Sequence, residues 1–446
     1  MKFNIICVIL LTLICGCQSH VDKQESPPQA FNTEVNLNKL DINTEEIKGI
    51  DSLLQSYVKN QKVNCVTAFV ARGGNIIYNK AFGWKDIENN IPASVDDYYV
   101  LFSQTKAVTT VAFMTLVEKG LVAIEDPVSN YFPEIPDQVV TKVNENGTYE
   151  TRPVKAPMTF AHLMSHTSGL NAGLVRKIRE KENRKSTDLG EFGKVESEQT
   201  PNGQRSFGGN PKSEYLEQEM MDLVKYPLGF DPGSEWNYHI STNMLAYMIE
   251  RISGRPLREY VRETILNPLG MDDTDWYFAP EKLPKFVKPH NYVNGKLEPG
   301  SMMYAKSAVS QKKTYTEGAI GLNGLIKDYA KFCQMLLNKG EFNGNRVLKA
   351  ETIAQMTTIN RLPEVNSGGE NFQFGLGFQL ANENNKHIDK VSNSAFWWGG
   401  LMGTEYIIDP ELDLIALFYI NMFQRDNLYY DYLREVYEVV DNSNKN

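Results

Sequence analysis

A serine and a lysine three residues apart, Ser103 and Lys106, are the pair in this sequence best suited to chemistry. Positions three apart share one face of a helix, so the lysine amine can reach the serine hydroxyl. A hydroxyl is a weak nucleophile until a neighbouring base takes its proton, and a lysine can be that base when burial lowers its pKa. The pair therefore indicates covalent catalysis through a serine nucleophile.

The surroundings of Ser103 favour this interpretation. It follows an apolar run and opens an apolar segment that we expect to be helical, and a helix start offers free N–H groups and a dipole that stabilise developing negative charge. The alternative that stays open is a serine that merely caps a core helix. Two further matches to the spacing look accidental: Ser56/Lys59 lacks an apolar flank at the serine, and Ser310/Lys313 lies in the polar run Gln311-Lys312-Lys313.

Further short motifs follow one another in a fixed order over about residues 60–420. They are Gly73-Gly74, Ala81-Phe82-Gly83, Ser103-Gln104-Thr105-Lys106, Asp126-Pro127-Val128, Phe160 to Leu170, Phe230-Asp231-Pro232-Gly233, Tyr238, Gly321-Leu322, Trp398-Gly399-Gly400 and Gly403. In this order the chain resembles the serine β-lactamase-like superfamily, which includes class C β-lactamases, DD-peptidases, esterases and acyltransferases. No Gly-x-Ser-x-Gly motif occurs, which disfavours an α/β-hydrolase.

The resemblance assigns a second catalytic element to Tyr238, which follows the Pro232-Gly233 turn. Its phenol would point at the nucleophile, act with Lys106 as the base in acylation and return a proton to the leaving group. Which of the two groups is the base stays open. A rival assignment is Ser241-Thr242-Asn243, but we expect Ser241 to cap the helix that follows it.

The resemblance assigns a third element to Trp398-Gly399-Gly400, a strand edge beside the nucleophile. Glycines let a backbone approach a substrate closely. The N–H of Leu401 would then pair with the N–H of Ser103 to form the oxyanion hole.

Two departures from the family pattern bear on the substrate. Trp398 stands where β-lactamases and DD-peptidases carry a Lys or His that binds a substrate carboxylate, and Ile240 stands where an Asn is usual. Both would contact substrate, and both favour an uncharged ester or acyl donor, so we expect an esterase or acyltransferase. Two alternatives remain: a β-lactamase or D-amino-acid peptidase whose cation comes from another segment, and a non-catalytic binding lipoprotein.

The elements that must position these groups are indicated by periodicity. Helical spacing over 45–59 is followed by strand patterns at 64–71 and 76–84, four strands are expected at about 372–381, 394–400, 403–409 and 414–421, and a last helix near 425–440. This predicts an α+β fold: an antiparallel sheet built from both chain ends, flanked by helices, with an inserted mainly helical subdomain at about 104–325. A polar stretch predicts a mobile insertion at about 176–215, and the basic run from Arg176 to Lys185 is expected to be a solvated loop.

The N-terminus indicates export. Lys2 precedes an apolar run too short to span a bilayer, and the ending Leu13 to Cys17 resembles a bacterial lipobox. We expect residues 1–16 to be a signal peptide, Cys17 to carry lipid, residues 17–40 to be a tether, and residues 41–446 to be the hydrolase domain. The protein would then be held at the cell envelope on the exported side.

Composition narrows the remaining classes. The net charge is −9, and the densest basic run, Arg176 to Lys185, is interrupted by Glu180 and Glu182, so no nucleic-acid partner is expected. No metal-binding motif occurs, and neither a metal nor an organic cofactor is predicted. Cys65 and Cys333 are expected to be buried free thiols. Sequence does not indicate the oligomeric state.

Overall fold

The computed structural model describes residues 30–441, except residues 36, 41, 43, 183–214, 311–314, 365, 367 and 424–426. Its strands are β1 (Cys65–Arg72), β2 (Asn75–Asp86), β3 (Ile91–Pro92), β4 (Tyr99–Val100), β5 (Gln138–Val143), β6 (Tyr149–Pro153), β7 (His290–Val293), β8 (Lys296–Pro299), β9 (Asn323–Gly324), β10 (Glu341–Phe342), β11 (Asn345–Arg346), β12 (Gln379–Leu380), β13 (Phe396–Gly400), β14 (Thr404–Asp409) and β15 (Leu414–Tyr419).

The α-helices are α1 (Thr44–Lys59), α2 (Gln104–Glu118), α3 (Phe160–Met164), α4 (Ala172–Lys181), α5 (Leu216–Leu223), α6 (Ile240–Ser253), α7 (Leu257–Val261), α8 (Met303–Ala308), α9 (Ile326–Leu337), α10 (Ala350–Thr357) and α11 (Leu428–Asp441). Short 3-10 helices lie at Leu37–Leu40, Val128–Asn130 and Pro280–Lys285, and a π-helical turn at Arg262–Leu266 continues α7.

One seven-stranded sheet joins the two ends of the chain. Its strand order is β12-β13-β14-β15-β1-β2-β3, and its pairs are antiparallel. The first and last parts of the chain meet where β1 pairs with β15, from Thr67 opposite Tyr419 to Arg72 opposite Leu414. The predicted fold class, an antiparallel sheet from both termini with a mainly helical insertion, is confirmed.

Helices cover both faces of the sheet. Successive side chains of a strand point to opposite faces, so Phe69 of β1 packs into one core and its neighbour Val70 into the other. The core containing Val70 lies under α1 and α11, where the Tyr57 hydroxyl donates to the Leu428 carbonyl at 3.0 Å. The larger core, on the Phe69 side, contains α2, α6 and α9. Helix α2 is buried from Gln104 to Leu116, which fixes its N-terminus rigidly beside the sheet.

Two predicted segments differ from the structure. The strand expected at about 372–381 is reduced to β12, because Gly377 has φ +88 and breaks the extended chain. At that point the backbone lies so close to α2 that a Cβ on Gly377 would be 2.9 Å from Thr110 Oγ1. The basic run at 176–185 is not simply a solvated loop, since residues 176–181 belong to α4 and Arg179 is buried in an ion pair with Asp222. The rest of the expected insertion, 183–214, lies outside the described residues.

Cys65 in β1 and Cys333 in α9 are buried free thiols, as predicted. Within the described part of the chain, no helix is both long and apolar enough to cross a bilayer, and no group of three or more His, Cys, Asp or Glu side chains could hold a metal ion. Cys17 and the expected signal peptide lie outside the described residues.

Candidate active site

Ser103 lies between the short strand β4 and the start of α2. The segment before it is anchored by the pairing of β4 with β9 and by the Leu101 N–H, which donates to the Leu322 carbonyl at 3.0 Å. Phe102 has φ +45, a left-handed conformation that turns the chain into the helix. Among the described residues the Ser103 side chain makes no capping hydrogen bond to α2. Its hydroxyl is therefore not committed to capping the helix.

Lys106 is one turn into α2 and 1% exposed. Its Nζ donates to Ser103 Oγ at 3.0 Å and to the Ala319 carbonyl at 2.9 Å, and lies 3.3 Å from His239 Nδ1. Burial lowers the pKa of Lys106 from 10.5 to about 7, although the Glu317 carboxylate partly opposes this shift. The amine is therefore substantially neutral at neutral pH and can accept a proton from the Ser103 hydroxyl.

Tyr238 lies beside both Ser103 and Lys106, just before α6. Its hydroxyl shares a hydrogen bond with Ser103 and accepts one from Trp398 Nε1 at 2.9 Å. Lys106 Nζ lies over the phenol ring, 4.6 Å from its centroid. Burial raises the pKa of Tyr238, and its two hydrogen bonds offset only part of that rise. The phenol is therefore protonated at neutral pH, and this favours Lys106 as the base in acylation.

The segment that carries Tyr238 is held by the loop after α3. The Gly233 N–H donates to the Thr167 carbonyl at 2.7 Å, and the Asn237 N–H donates to the His166 carbonyl at 2.8 Å. The Asn237 side chain adds a bond to the Leu170 carbonyl at 3.0 Å. The motif from Phe160 to Leu170 thus positions Tyr238.

The rival Ser241 is directed elsewhere. It is fully buried in the first turn of α6, and its hydroxyl pairs with that of Ser168 at 2.8 Å. The N-cap of α6 is His239, so the expectation that Ser241 caps the helix is wrong. Asn243, also in the rival motif, donates to Glu317 Oε1 at 3.3 Å and accepts from the Ala319 N–H at 2.9 Å, and so supports the carbonyl that binds Lys106.

Strand β13 brings Trp398-Gly399-Gly400 close to Ser103. Strand β12 covers only Phe396 and Trp397, so among the described residues the outer edge of β13 has no strand partner from Trp398 onward. A Cβ on Gly400 would collide with the Leu101 carbonyl and Thr404 Oγ1, so only a glycine allows this close approach to the chain before the nucleophile.

The two amides expected to form the oxyanion hole remain available. Within the described residues, neither the Ser103 N–H nor the Leu401 N–H donates to a protein acceptor. One lies at the start of α2 and the other directly after the edge of β13. Unengaged N–H groups at a helix start are suited to an oxyanion.

Trp398 belongs to a cluster of aromatic side chains beside Ser103 and Tyr238. Its ring lies 5.2 Å from that of Tyr238 and 5.1 Å from that of Phe374, between centroids. Trp236 stacks on Tyr238 at 5.7 Å and contacts Phe372 at 4.8 Å. Trp236 could have been found from sequence, because alternate residues of an extended segment share a side. No local signal points to the two phenylalanines.

Ile240 is not among the side chains gathered around Ser103. It is the first residue of α6, 4% exposed, and part of the larger core. Its contact with substrate stays a prediction, which this burial weakens. The residue that reaches the amine instead is its neighbour His239, which the sequence analysis did not single out although a histidine adjacent to Tyr238 was visible.

Comparison with known proteins identifies the family and similar folds. Esterase EstB of Burkholderia gladioli is 25% identical over 393 residues, covering 83% of this chain and 89% of that enzyme. The fold resembles that of EstCE1, a hydrolase with promiscuous acyltransferase activity. The TM-score is 0.69 and the sequence identity 21%, and the match covers 89% of this chain and 98% of EstCE1. The fold also resembles that of unliganded simvastatin synthase LovD of Aspergillus terreus. The TM-score is 0.68 and the sequence identity 22%, and the match covers 89% of this chain and 98% of LovD. The family model for beta-lactamase matches residues 50–437, so this chain belongs to the beta-lactamase family, as its motifs predicted.

Proposed function

We propose that this protein is a serine hydrolase that cleaves an ester through an acyl-enzyme on Ser103. The observation that carries the proposal is the hydrogen-bonded group of Ser103, Lys106 and Tyr238. On its β13 side this group contacts the Trp398 indole, at the position where β-lactamases and DD-peptidases carry a Lys or His. Esterase and acyltransferase activities named for its relatives and structural neighbours support the same class of reaction.

Acylation begins when the neutral Lys106 amine takes the Ser103 proton. Oγ attacks the ester carbonyl carbon, and the resulting oxyanion is stabilised by the N–H groups of Ser103 and Leu401. The intermediate collapses by breaking the bond to the alcohol oxygen. The alkoxide departs as the alcohol with the proton held by Lys106, while the Tyr238 phenol donates a hydrogen bond to it.

Deacylation repeats these steps with a new nucleophile. Lys106 takes a proton from water, the hydroxide attacks the acyl-Ser103 carbonyl, and the acid leaves as Oγ regains a proton. An alcohol in place of water gives acyl transfer to a new ester. The same side chains serve both outcomes, so the supply of acceptor decides between hydrolysis and transfer.

Trp398 favours esters over substrates that carry a recognition carboxylate. Its single indole N–H donates to the Tyr238 hydroxyl, and its remaining surface is an apolar face that suits an alkyl or aryl group. Burial lowers the pKa values of His166 and His239, so neither is a cation at neutral pH. Losing one charge-assisted contact costs about 1.5–3 kcal/mol, about one to two orders of magnitude in kcat/KM.

The test is a substrate panel of short p-nitrophenyl esters, nitrocefin and D-Ala-D-Ala peptides. We expect the esters to have the highest kcat/KM. Trp398→His should shift the ratio toward nitrocefin, whereas the matched Trp398→Phe keeps the aromatic face and should keep the ester preference. A wild type that cleaves nitrocefin as well as its best ester would refute the ester assignment in favour of a β-lactamase.

A fluorophosphonate probe tests the nucleophile directly. The probe should add one mass to the peptide containing Ser103, and Ser103→Ala should abolish the adduct. Lys106→Ala and Tyr238→Phe should each slow ester turnover by roughly 10²-fold or more, as expected for general acid–base groups. Labelling that persists in Ser103→Ala would exclude this serine, and a wild type that is never labelled would favour a non-catalytic binding protein.

We propose separately that the protein is exported and anchored to a membrane by lipid on Cys17. The support is the lipobox-like run from Leu13 to Cys17 and the polar tract after it. Two or more acyl chains hold a protein stably at a membrane, whereas one chain is marginal. Palmitate labelling and detergent partitioning should both be lost in Cys17→Ser. A Cys17→Ser variant that still partitions into detergent would contradict the anchor.

A further inference from the structure

His239 is held toward the Lys106 amine by a strained backbone. It has φ +113 and ψ −74, a region that side-chain-bearing residues rarely adopt and that costs about 1–3 kcal/mol. Such strain persists only where the surroundings enforce it, and it is concentrated at functional sites. The His239 N–H donates to His166 Nδ1 at 3.4 Å. The acylation steps described above leave this histidine without a role.

The geometry around the Lys106 amine supplies that role. A neutral amine has two N–H bonds and one lone pair. The Ala319 carbonyl, 2.9 Å away, can only accept a hydrogen bond, and it is fixed by the bond between the Ala319 N–H and Asn243 Oδ1. His239 Nδ1, at 3.3 Å, is a second acceptor when the ring carries its proton on Nε2. The third neighbour is Ser103 Oγ at 3.0 Å, which accepts a hydrogen bond from the ammonium but can donate its own proton to the lone pair of the neutral amine.

We propose that His239 is a positioning residue for the Lys106 base. Its Nδ1 and the Ala319 carbonyl take the two N–H bonds of the neutral amine, which leaves the lone pair aimed at the Ser103 hydroxyl. The inference rests on the proposed function, because it explains how the amine can accept the serine proton. Without the imidazole, one N–H bond of the amine can turn toward Ser103 and the lone pair away from it.

Other titratable groups around His239 do not obscure a test. Lys106 faces it from α2, and Tyr238 precedes it with ring centroids 6.2 Å apart. His166 faces it from the loop after α3, and burial lowers the pKa of His166 well below its usual value and that of His239 to about 3. The Glu317 carboxylate acts on Lys106. Above neutral pH both histidines are therefore neutral, and Lys106 is the group that titrates.

The experiment measures the rate at which a fluorophosphonate labels Ser103 as a function of pH. This rate reports activation of the nucleophile whatever the natural substrate is. His239→Asn keeps an acceptor, since Oδ1 occupies the place of Nδ1, whereas His239→Gln moves its oxygen one bond further out. His239→Gly removes the acceptor and also relieves the strain, because glycine adopts positive φ readily. Gln61→Gly, at an exposed position with φ +53, is the matched control for strain relief.

We expect the plateau rate above pH 8 to fall roughly 10–100-fold in His239→Gly and His239→Gln, the scale of a misoriented catalytic group, and much less in His239→Asn. The melting temperature of His239→Gly should be unchanged or higher, and Gln61→Gly should label at the wild-type rate. A plateau is decisive because a mere change in the pKa of Lys106 disappears there, whereas a misdirected lone pair does not.

Equal plateau rates in the wild type, His239→Gly and His239→Gln would overturn the positioning role while leaving the proposed function intact. So would an Asn variant as slow as the Gln variant, a comparison that holds even if His239→Gly fails to fold. Absence of Ser103 labelling in the wild type would overturn the proposed function, and the inference with it.

Discussion

The pH dependence of ester cleavage is expected to follow the titration of Lys106. An ordinary lysine, with a pKa near 10.5, would be neutral in only about one molecule in three thousand at pH 7. Burial brings the pKa of Lys106 to about 7, so about half of the molecules have a neutral amine at that pH. Only the neutral amine can accept the Ser103 proton. Activity is therefore lost as the pH falls, and kcat/KM should drop about tenfold per pH unit below about pH 6 and level off above about pH 8.

A carboxylate near the amine allows the acidic limb of this profile, the fall in kcat/KM at low pH, to be assigned to Lys106. Glu317 raises the pKa of Lys106. Glu317→Gln removes that charge but keeps an oxygen for the Asn243 amide, so the acidic limb should move to lower pH. The matched control is Glu217→Gln on α5, whose carboxylate instead accepts from the Tyr247 hydroxyl; it should leave the limb in place.

The measurement is kcat/KM for an uncharged short ester, followed by pH-stat because p-nitrophenol itself titrates in this range. A limb near the ordinary lysine pKa would mean that Lys106 is solvated in the working enzyme. A limb that stays fixed in Glu317→Gln would assign it to another group. A profile with no limb between about pH 5 and 8 would refute Lys106 as the base in acylation.

Three further predictions concern stability and reactivity. Lys106→Met should abolish turnover yet raise the free energy of unfolding by roughly 2–4 kcal/mol at pH 6, because the folded protein no longer buries an ammonium. This figure already subtracts about 1–3 kcal/mol for the carbonyl that loses its hydrogen-bond donor. Because the pKa of Lys106 is lower in the folded state than in the unfolded state, this gain should shrink as the pH rises from about 7 toward 10.5. Urea unfolding of both proteins at these two pH values measures it, and a loss of stability at pH 7 or a gain that grows with pH would contradict the prediction. Gly400→Ala should lower the unfolding free energy by about 1–3 kcal/mol in the same assay and reduce activity, while Gly173→Ala within α4 should not destabilise; equal effects would argue against close packing at Gly400. Cys65 and Cys333 should resist a thiol reagent until the protein unfolds, because burial raises both pKa values; prompt reaction in the native state would contradict their burial.

The family could be predicted from the order of short motifs along the sequence, and the family match confirms it. Ser103 and Lys106 were paired correctly in space because an i, i+3 spacing on one helix decides that contact locally. Tyr238 was identified only through the family pattern. Its hydrogen bond to Trp398 joins residues 160 positions apart, and no local rule connects them.

The fold class could likewise be predicted from sequence, because alternating and helical periodicities are local consequences of which face of a strand or helix is buried. The expected strand at 372–381 shows the limit of such patterns. Its apolar residues alternate as in a strand, but Gly377 adopts a positive φ where the backbone lies against α2, and the strand shortens to β12. Packing between elements overrode the local pattern there.

Sequence by itself determined the sheet from both chain ends, the helix that carries Ser103 and Lys106, and the absence of a lysine or histidine at Trp398. Only the tertiary structure decided what surrounds the amine. His239 and Ala319 reach Lys106 from segments more than 130 and 200 positions further along the chain. Burial by these distant segments sets the pKa of the base and the direction of its lone pair, because desolvation and hydrogen bonding depend on contacts that form only once the whole chain is packed.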